Sequence, residues 1–377
     1  MFNPSRLELA RKRRGLTKVG LAELAGISVR TLTEYEAGRT TPSRSASGIL
    51  ASKLKFPEEF FAGDDVHMPA PEAVTFRARA SLAARDRDRS LGGMSLAFML
   101  SDYVIEKFNL PACDLPDGLN DMKPQGAAMA LRAQWSLGDR AIENVVHLLE
   151  AHGVKVFSLR FAGELDAIAT WRGNAPYVFL NVSKSAERVR FDAAHELGHL
   201  VLHRQALPDP RQAELEANQF AAAFLMPEPR VKSIVTGLVT MRSLIEAKKH
   251  FGVSVMALAR RVWDLHLASD WHYHTLCVQC GQRGYQRNEP EPMRAERSQI
   301  WDKVFELLRQ DGITKSTLAM ILGLHREDVE ELVFGLTMGQ VGDGRGRDTT
   351  TSVNTANLEL APRGGPSRGD FPAKGGA

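Results

Sequence analysis

Apolar positions in the first 60 residues recur every three or four places, which is the spacing of short amphipathic helices. This pattern predicts a first helix in SRLELARKRRG and a second in TKVGLAELAG, where Thr17 is placed to cap the first turn. A third helix is predicted in SVRTLTEYEAG after the cap Ser28, and a fourth around residues 43–54. Two capped helices joined by a turn at Gly26 form a helix-turn-helix. Its expected core positions are Leu21, Leu24, Ile27, Leu32 and Tyr35.

Further along the chain the pattern changes from helical to β-rich and back. Residues 91–152 have helical spacing, and the short runs VKVFSL, LDAIATW and YVFLN that follow are typical of strands. Helical spacing returns in FDAAHELGHLVLH and in AELEANQFAAAFLMP, so a small sheet is expected directly before two helices. Around residue 277, the run TLCVQCGQRGY favours a strand and a turn.

The C-terminal part divides into a helical segment and a tail of biased composition. TKSTLAMILGLHREDVEELVFGL has helix-turn-helix character, but it holds few basic residues. We therefore expect it to pack against other elements or to dimerise, and reading DNA is the weaker alternative. From residue 339 onward Gly, Arg, Pro, Ser and Thr dominate, which predicts disorder.

Composition narrows the classes of protein to which the chain can belong. Its 377 residues allow two or three domains, and 44% hydrophobic and 25% charged residues are ordinary for a globular protein. No apolar run reaches the roughly 18 residues of a membrane span, and the first residues lack the apolar stretch of a signal peptide. We therefore expect a cytoplasmic protein without membrane contact. Cys113, Cys277 and Cys280 do not make a disulfide framework, and a single CxxC is weak support for a second metal site.

Positive charge is concentrated at the N-terminal end of the chain. Residues 1–62 contain 11 Lys and Arg against 6 Asp and Glu, a net charge of +5, whereas the whole chain carries +3. A basic module on a nearly neutral body indicates a polyanionic partner. A small helical bundle that binds protein is the alternative for this module.

The pentapeptide HELGH, from His195 to His199, stands inside a helical run. Residues four apart share a helix face, so both imidazoles can bind one metal ion, with Glu196 beside them to activate a water molecule. The alternative is an amphipathic helix with two surface histidines, but the neighbouring residues are mostly apolar, and buried imidazoles need partners. Gly198 costs about 1 kcal/mol relative to Ala in a helix interior, which indicates close approach of another backbone or of a substrate.

A catalytic zinc site needs a third protein ligand, and the next helical run offers acidic candidates. Glu214 is preferred because Asn218 lies four residues on and shares its helix face, and Glu216 is the second choice. Asn218 is then expected to hold a ligand histidine through its other ring nitrogen. His203 is expected to be a packing or supporting histidine, with oxyanion stabilisation as the alternative. A plain core helix with an acidic first turn is the alternative for the whole run.

The segments HELGHLVLH and ELEANQFAAAFLMP together resemble the ImmA/IrrE-type metallopeptidases, in the same order. The resemblance implies a gluzincin-like site in which His195, His199 and an acidic ligand from the second helix hold one zinc ion per chain, with Glu196 as base. It also implies limited proteolysis of a particular regulator, such as a repressor or an antitoxin, that relieves repression under stress.

The string LTKVGLAELAGISVRTLTEYEAGRTTPS resembles the Xre/Cro-type repressor DNA-binding domain over its full length. In that geometry the third helix enters the major groove of an operator in double-stranded DNA. The resemblance places Val29, Arg30, Thr31 and Glu34 toward base edges, and Lys18, Ser28 and Arg39 toward phosphates. Glu34 and Glu36 are expected to oppose nonspecific binding, so tight binding should need a particular sequence or a homodimer.

These patterns and resemblances predict a multidomain, mainly α protein: an N-terminal all-α helix-turn-helix bundle followed by an α+β, gluzincin-like metallopeptidase domain with a small sheet. The expected divisions are 1–63 for the DNA-binding domain, 64–90 for a linker, 91–292 for the peptidase domain, 293–338 for the C-terminal helix-turn-helix-like segment and 339–377 for a disordered tail. The leading hypothesis is a transcriptional regulator that carries a zinc endopeptidase. The alternatives are a non-catalytic transcription factor whose zinc domain senses a ligand or supports the fold, and an antitoxin-like module that binds DNA and a toxin.

Overall fold

The structure of the chain, a computed structural model, describes residues 2–70, 83–160, 165–204 and 209–337. The expected disordered tail, 339–377, and residues 71–82 of the expected linker lie outside the described residues. In the part that is described, helices surround one three-stranded sheet. The expectation of a mainly α protein with a small sheet is confirmed.

Four helices and a short 3₁₀ helix form the N-terminal domain. They are α1 Pro4–Arg13, α2 Lys18–Ala25, α3 Val29–Glu36, α4 Arg44–Leu54 and the 3₁₀ helix Glu58–Ala62. The hydroxyl of Thr17 accepts a hydrogen bond at the start of α2, and the hydroxyl of Ser28 does the same at the start of α3. Gly26 ends α2 with a φ of +66°, a left-handed conformation that favours glycine.

One expected core position of this domain is wrong. Leu21 and Leu32 are buried, whereas Leu24 is 49% exposed. The inward face of α2 consists of Leu21, Ala22 and Ala25, and Leu24 lies outside that face.

A long helix joins the N-terminal domain to the rest of the chain. α5 spans Ala84–Lys107, so it begins inside the expected linker 64–90 and crosses the boundary expected at residue 91. It packs against α1, and a Cβ on Gly92 would lie only 2.8 Å from the Cα of Arg13. Glycine permits this close approach, and α5 is therefore docked directly on the N-terminal domain.

The sheet follows two further helices, α6 Pro124–Gln134 and α7 Val145–Ala151. Its strands are β1 Lys155–Ser158, β2 Ala167–Arg172 and β3 Ala175–Leu180, which overlap the three runs expected to be strands. β3 is central, pairing parallel with β1 and antiparallel with β2. α8, Ala186–Leu202, packs on β2 and β3, and α9, Pro210–Leu225, packs on α8.

Four helices continue the domain after α9. They are α10 Glu228–Ile234, α11 Met241–Lys248, α12 Val255–Asp264 and α13 Asp270–Gln282. α13 contains most of the run expected to be a strand and turn, so that expectation is wrong. Ser269 caps its first turn, and Leu276 and Cys280, one helical turn apart, are both buried.

The last three described helices pack together, and the last of them also contacts the sheet and the N-terminal domain. They are α14 Gln299–Gln310, α15 Lys315–Ile321 and α16 Arg326–Thr337. α16 lies along β1, where the Ser158 hydroxyl donates to the carbonyl of Glu331 (2.9 Å). It also reaches α1, because Glu331 pairs with Arg13 (2.6 Å) and Asp328 pairs with Arg14 (3.0 Å). These contacts give the segment the packing role expected of it.

Within the described ranges, none of the helices has the length and apolar character needed to span a bilayer.

Candidate metal centre and nucleic-acid interface

The candidate metal centre lies where α8 and α9 pack against each other. A Cβ on Gly198 would lie 3.3 Å from the Cα of Ala217 and 3.1 Å from Cδ1 of Phe220. This contact is the close backbone approach that the glycine indicated. Because the helices approach so closely here, side chains from both helices meet in one site.

Three side chains from these helices bring their ligand atoms together. The Nε2 atoms of His195 and His199 are 3.0 Å apart, and the Glu214 carboxylate lies 3.4 Å from the first and 3.6 Å from the second. Both histidines are buried, and all three ligand atoms lie within 4.8 Å of one another. Two imidazoles and a carboxylate are a donor set that suits zinc and leaves a coordination position open.

Asn218 determines which nitrogen of His195 is available to a metal. Its amide nitrogen donates to the carbonyl oxygen of Glu214 (2.8 Å), so its amide oxygen faces Nδ1 of His195 (3.2 Å). An amide oxygen only accepts, so His195 carries its proton on Nδ1, and its Nε2 presents a lone pair. Asn218 thus makes the contact with a histidine that its spacing from Glu214 indicated.

His203 contacts the other histidine of the site. Its Nδ1 lies 3.0 Å from Nδ1 of His199, and its Nε2 lies 2.9 Å from a carboxylate oxygen of Glu216. Glu216, the second choice as ligand, is therefore the partner of His203, while Glu214 faces both ligand histidines. Sequence reasoning considered Glu216 only as a ligand. The signal for its other role was the imidazole at residue 203, which needed a partner in apolar surroundings.

The charges of the site are set by burial and by the imidazoles. Burial raises the pKa of the Glu214 carboxyl, but the neighbouring imidazoles of His195 and His199 outweigh it and lower the pKa to about 2. Burial lowers the pKa of His203, and Glu216 opposes that shift only in part. At neutral pH the site therefore combines an anionic Glu214 with a neutral His203. Glu196 is 3% exposed on the same helix, next to His195.

A cleft of about 1030 Å³ lies beside the centre. Its wall includes Phe191, Leu215 and Asn218, each within four residues of a ligand residue. Among the described strands, β2 pairs only with β3, and α16 packs along β1. β2 also lies directly over α8.

The helix expected to read DNA exposes its N-terminal turn. Ser28, Val29 and Arg30 are exposed, and the hydroxyls of Ser28 and Thr31 lie 2.8 Å apart. Glu34 pairs with Arg39 (2.6 Å), so a residue expected to face bases and one expected to face phosphate are joined before DNA is bound.

Glu36 does not have the role expected of it. Its side chain is only 3% exposed and pairs with Arg11 and with Lys18, the latter at 3.2 Å. Because this carboxylate is enclosed and neutralised by the domain, it cannot repel DNA as expected. Lys18, expected to contact phosphate, is the more exposed member of the pair.

Comparison with known protein families agrees with both parts of the chain. A model of the helix-turn-helix domain matches residues 5–60, and a model of the IrrE N-terminal-like domain, from the peptidase M78 family, matches residues 149–262. No curated protein matches the chain. The second match includes the sheet, α8 and α9, and hence every residue of the candidate metal centre. The chain thus joins an N-terminal helix-turn-helix DNA-binding domain to an IrrE N-terminal-like, metallopeptidase-type domain.

Proposed function

We propose that this chain is a cytoplasmic DNA-binding regulator whose IrrE-like domain is a zinc-dependent endopeptidase acting on one particular regulatory protein. The observation that carries the proposal is the convergence of His195, His199 and Glu214 from two helices, with an anionic carboxylate facing both imidazoles. The donor set fits one zinc ion per chain.

Glu196 is the residue that moves protons in this proposal. Zinc, when bound by the three ligands, supplies the charge that polarises a peptide carbonyl and makes water more acidic. The Glu196 carboxylate then accepts the proton of the attacking water and delivers it to the leaving amine. Its burial beside His195 shields this proton transfer from bulk solvent.

The cleft beside the centre is proposed to receive the substrate. Asn218 lies in its wall and contacts His195, so a peptide bound there would lie near the ligand residues. We infer limited proteolysis of a partner such as a repressor or an antitoxin under stress, rather than general digestion.

The N-terminal domain is proposed to bind an operator in double-stranded DNA through α3, as a homodimer. Arg30 and the Ser28–Thr31 turn are exposed at the start of that helix, where helix-turn-helix proteins contact base edges.

The test is the substitution Glu196→Gln, which keeps the side-chain size and removes the base. Wild type and variant are expressed in parallel, and protein abundance is compared; one regulator should disappear with wild type only. Both proteins should hold about one zinc per chain. Glu246→Gln, an exposed carboxylate paired with Lys249 and outside the cleft, is the matched control and should behave as wild type.

Cleavage by Glu196→Gln would contradict the catalytic role of Glu196. Zinc binding without the loss of any protein would favour instead a non-catalytic regulator whose zinc domain senses a ligand or supports the fold.

A further inference from the structure

Glu216, His203 and His199 form a hydrogen-bonded chain that leads from the protein surface to the metal centre. Glu216 is 26% exposed at its side chain, whereas the side chains of His203 and His199 are 2% and 3% exposed. These hydrogen bonds link the C-terminal end of α8 to the first half of α9. Gln212 donates to the second oxygen of Glu216 (2.7 Å), which fixes the carboxylate in place.

The chemistry of the donors and acceptors assigns a proton to each contact. A carboxylate only accepts, so Nε2 of His203 carries a proton toward Glu216. A neutral imidazole then has a lone pair on Nδ1, and the contact between the two Nδ1 atoms needs a single proton. That proton belongs to His199, which leaves Nε2 of His199 as the nitrogen that would face a metal ion shared with His195 and Glu214.

We propose that His203 and Glu216 are positioning residues that fix the ring orientation and tautomer of His199 and thereby set the affinity of the site for its metal. This inference rests on the metal binding in the proposed function, but it does not depend on peptidase activity. The two ligand histidines are supported differently: a neutral amide holds His195, and an imidazole–carboxylate pair holds His199. The charged partner makes His199 the more electron-rich donor.

The first experiment measures zinc affinity by competition with a chromophoric chelator. His203→Phe keeps a planar ring but removes the acceptor, and should weaken zinc binding roughly 10- to 100-fold. His203→Asn places an amide oxygen near the position of Nδ1, as Asn218 does for His195, and should restore most of the affinity. Glu216→Ala should fall between them. His274→Phe, at an exposed position of α13, is the matched control and should leave affinity unchanged.

The second experiment determines which ring nitrogen of His199 carries the proton. In ¹⁵N NMR spectra of the metal-free protein, the imidazole of His199 should be protonated on Nδ1 in the wild type, and this preference should weaken in His203→Phe. A purely structural role for His203 would alter the unfolding midpoint of the metal-free variants without this change of tautomer.

The outcomes separate the two claims. If the wild type does not bind zinc, the proposed function fails. If it binds zinc and folded His203→Phe binds equally tightly, or if His199 is protonated on Nε2 in the wild type, the positioning role is overturned. Should His203→Phe fail to fold, the affinities of His203→Asn and Glu216→Ala and the wild-type tautomer still decide.

Discussion

The contact between α8 and α9 at Gly198 allows a sharp test of how helix packing controls the metal centre. The perturbation is Gly198→Ala, which adds one methyl group where Phe220 and the backbone of Ala217 lie 3.1 and 3.3 Å away. The matched control is Gly281→Ala in α13, where an added Cβ would meet nothing within 4 Å. Both changes replace a helical glycine by the same residue, so their difference isolates the effect of the contact.

The magnitude follows from two opposing effects. Replacing Gly by Ala in a helix stabilises it by up to about 1 kcal/mol, which is all that Gly281→Ala should show. At Gly198 overpacking should cost about 1–3 kcal/mol, because the Cα of Ala217 cannot rotate away as a flexible side chain could. The metal-free protein can relieve part of this strain by a small separation of the helices. The relieved part returns when a metal draws Glu214 toward His195 and His199, so zinc affinity should fall up to about tenfold, since 1.4 kcal/mol corresponds to tenfold.

The assay combines denaturant unfolding of the metal-free proteins with zinc competition. We expect Gly281→Ala to be as stable as wild type or slightly more stable, with the same zinc affinity. Gly198→Ala should be less stable than Gly281→Ala by about 1–3 kcal/mol and should bind zinc more weakly. If the two variants are equally stable and bind zinc equally well, the spacing of α8 and α9 does not control the site.

Two further predictions concern DNA binding and pH. Arg30→Ala should weaken binding to the operator by about 1–3 kcal/mol in a titration, without changing the zinc content. The dependence of DNA affinity on salt concentration should stay nearly unchanged. If the slope of log affinity against log salt concentration falls by about 1, Arg30 contacts a phosphate instead. Burial raises the pKa of Glu150 to about 7, against hydrogen bonds from Ser298 and from the backbone of Gln299 and Ile300. Because this pKa is higher in the folded than in the unfolded protein, Glu150 stabilises the fold below pH 4.5, and this contribution is lost as the pH rises to about 7. The free energy of unfolding of wild type, relative to that of Glu150→Gln, should therefore fall by up to roughly 3 kcal/mol between pH 4.5 and 7 in denaturant titrations. A difference that stays constant with pH would contradict this assignment.

Local patterns in the sequence predicted the structure correctly where it depends on a few neighbouring residues. Thr17 and Ser28 cap the helices that they were expected to cap, and Gly26 ends α2. The spacing of His195 and His199 brings their Nε2 atoms together, as expected for one helix face. These features depend on contacts within one or two helical turns, so they can be read from the chain itself.

Features that depend on contacts between distant elements were predicted less well. The run around Cys277 has strand-like composition, but the cap at Ser269 and the packing of α13 on α12 make it helical. The pairing of His203 with Glu216 depends on how α8 and α9 lie against each other, which no local pattern specifies. The same holds for α5, whose docking on α1 requires a close approach at Gly92.

Salt bridges within the protein reduce the positive charge that the basic N-terminal module can offer to DNA. Its net charge of +5 indicated a polyanionic partner, yet several of its cations are used within the protein. Arg11 pairs with the enclosed Glu36, while Arg13 and Arg14 pair with Glu331 and Asp328 on α16. Less positive charge is therefore available to phosphates than the composition suggests.

This use of charge has a consequence for both proposed activities. Because Arg39 is paired with Glu34 and Arg14 with Asp328, nonspecific attraction to DNA is reduced, so binding should depend more on base contacts from α3 and on a second copy of the chain. Arg13 and Arg14 instead join α1 to α16, and α16 lies along β1 of the sheet on which α8 packs. Part of the charge that suggested a separate DNA-binding module therefore connects that module to the sheet beside the helix that carries His195 and His199.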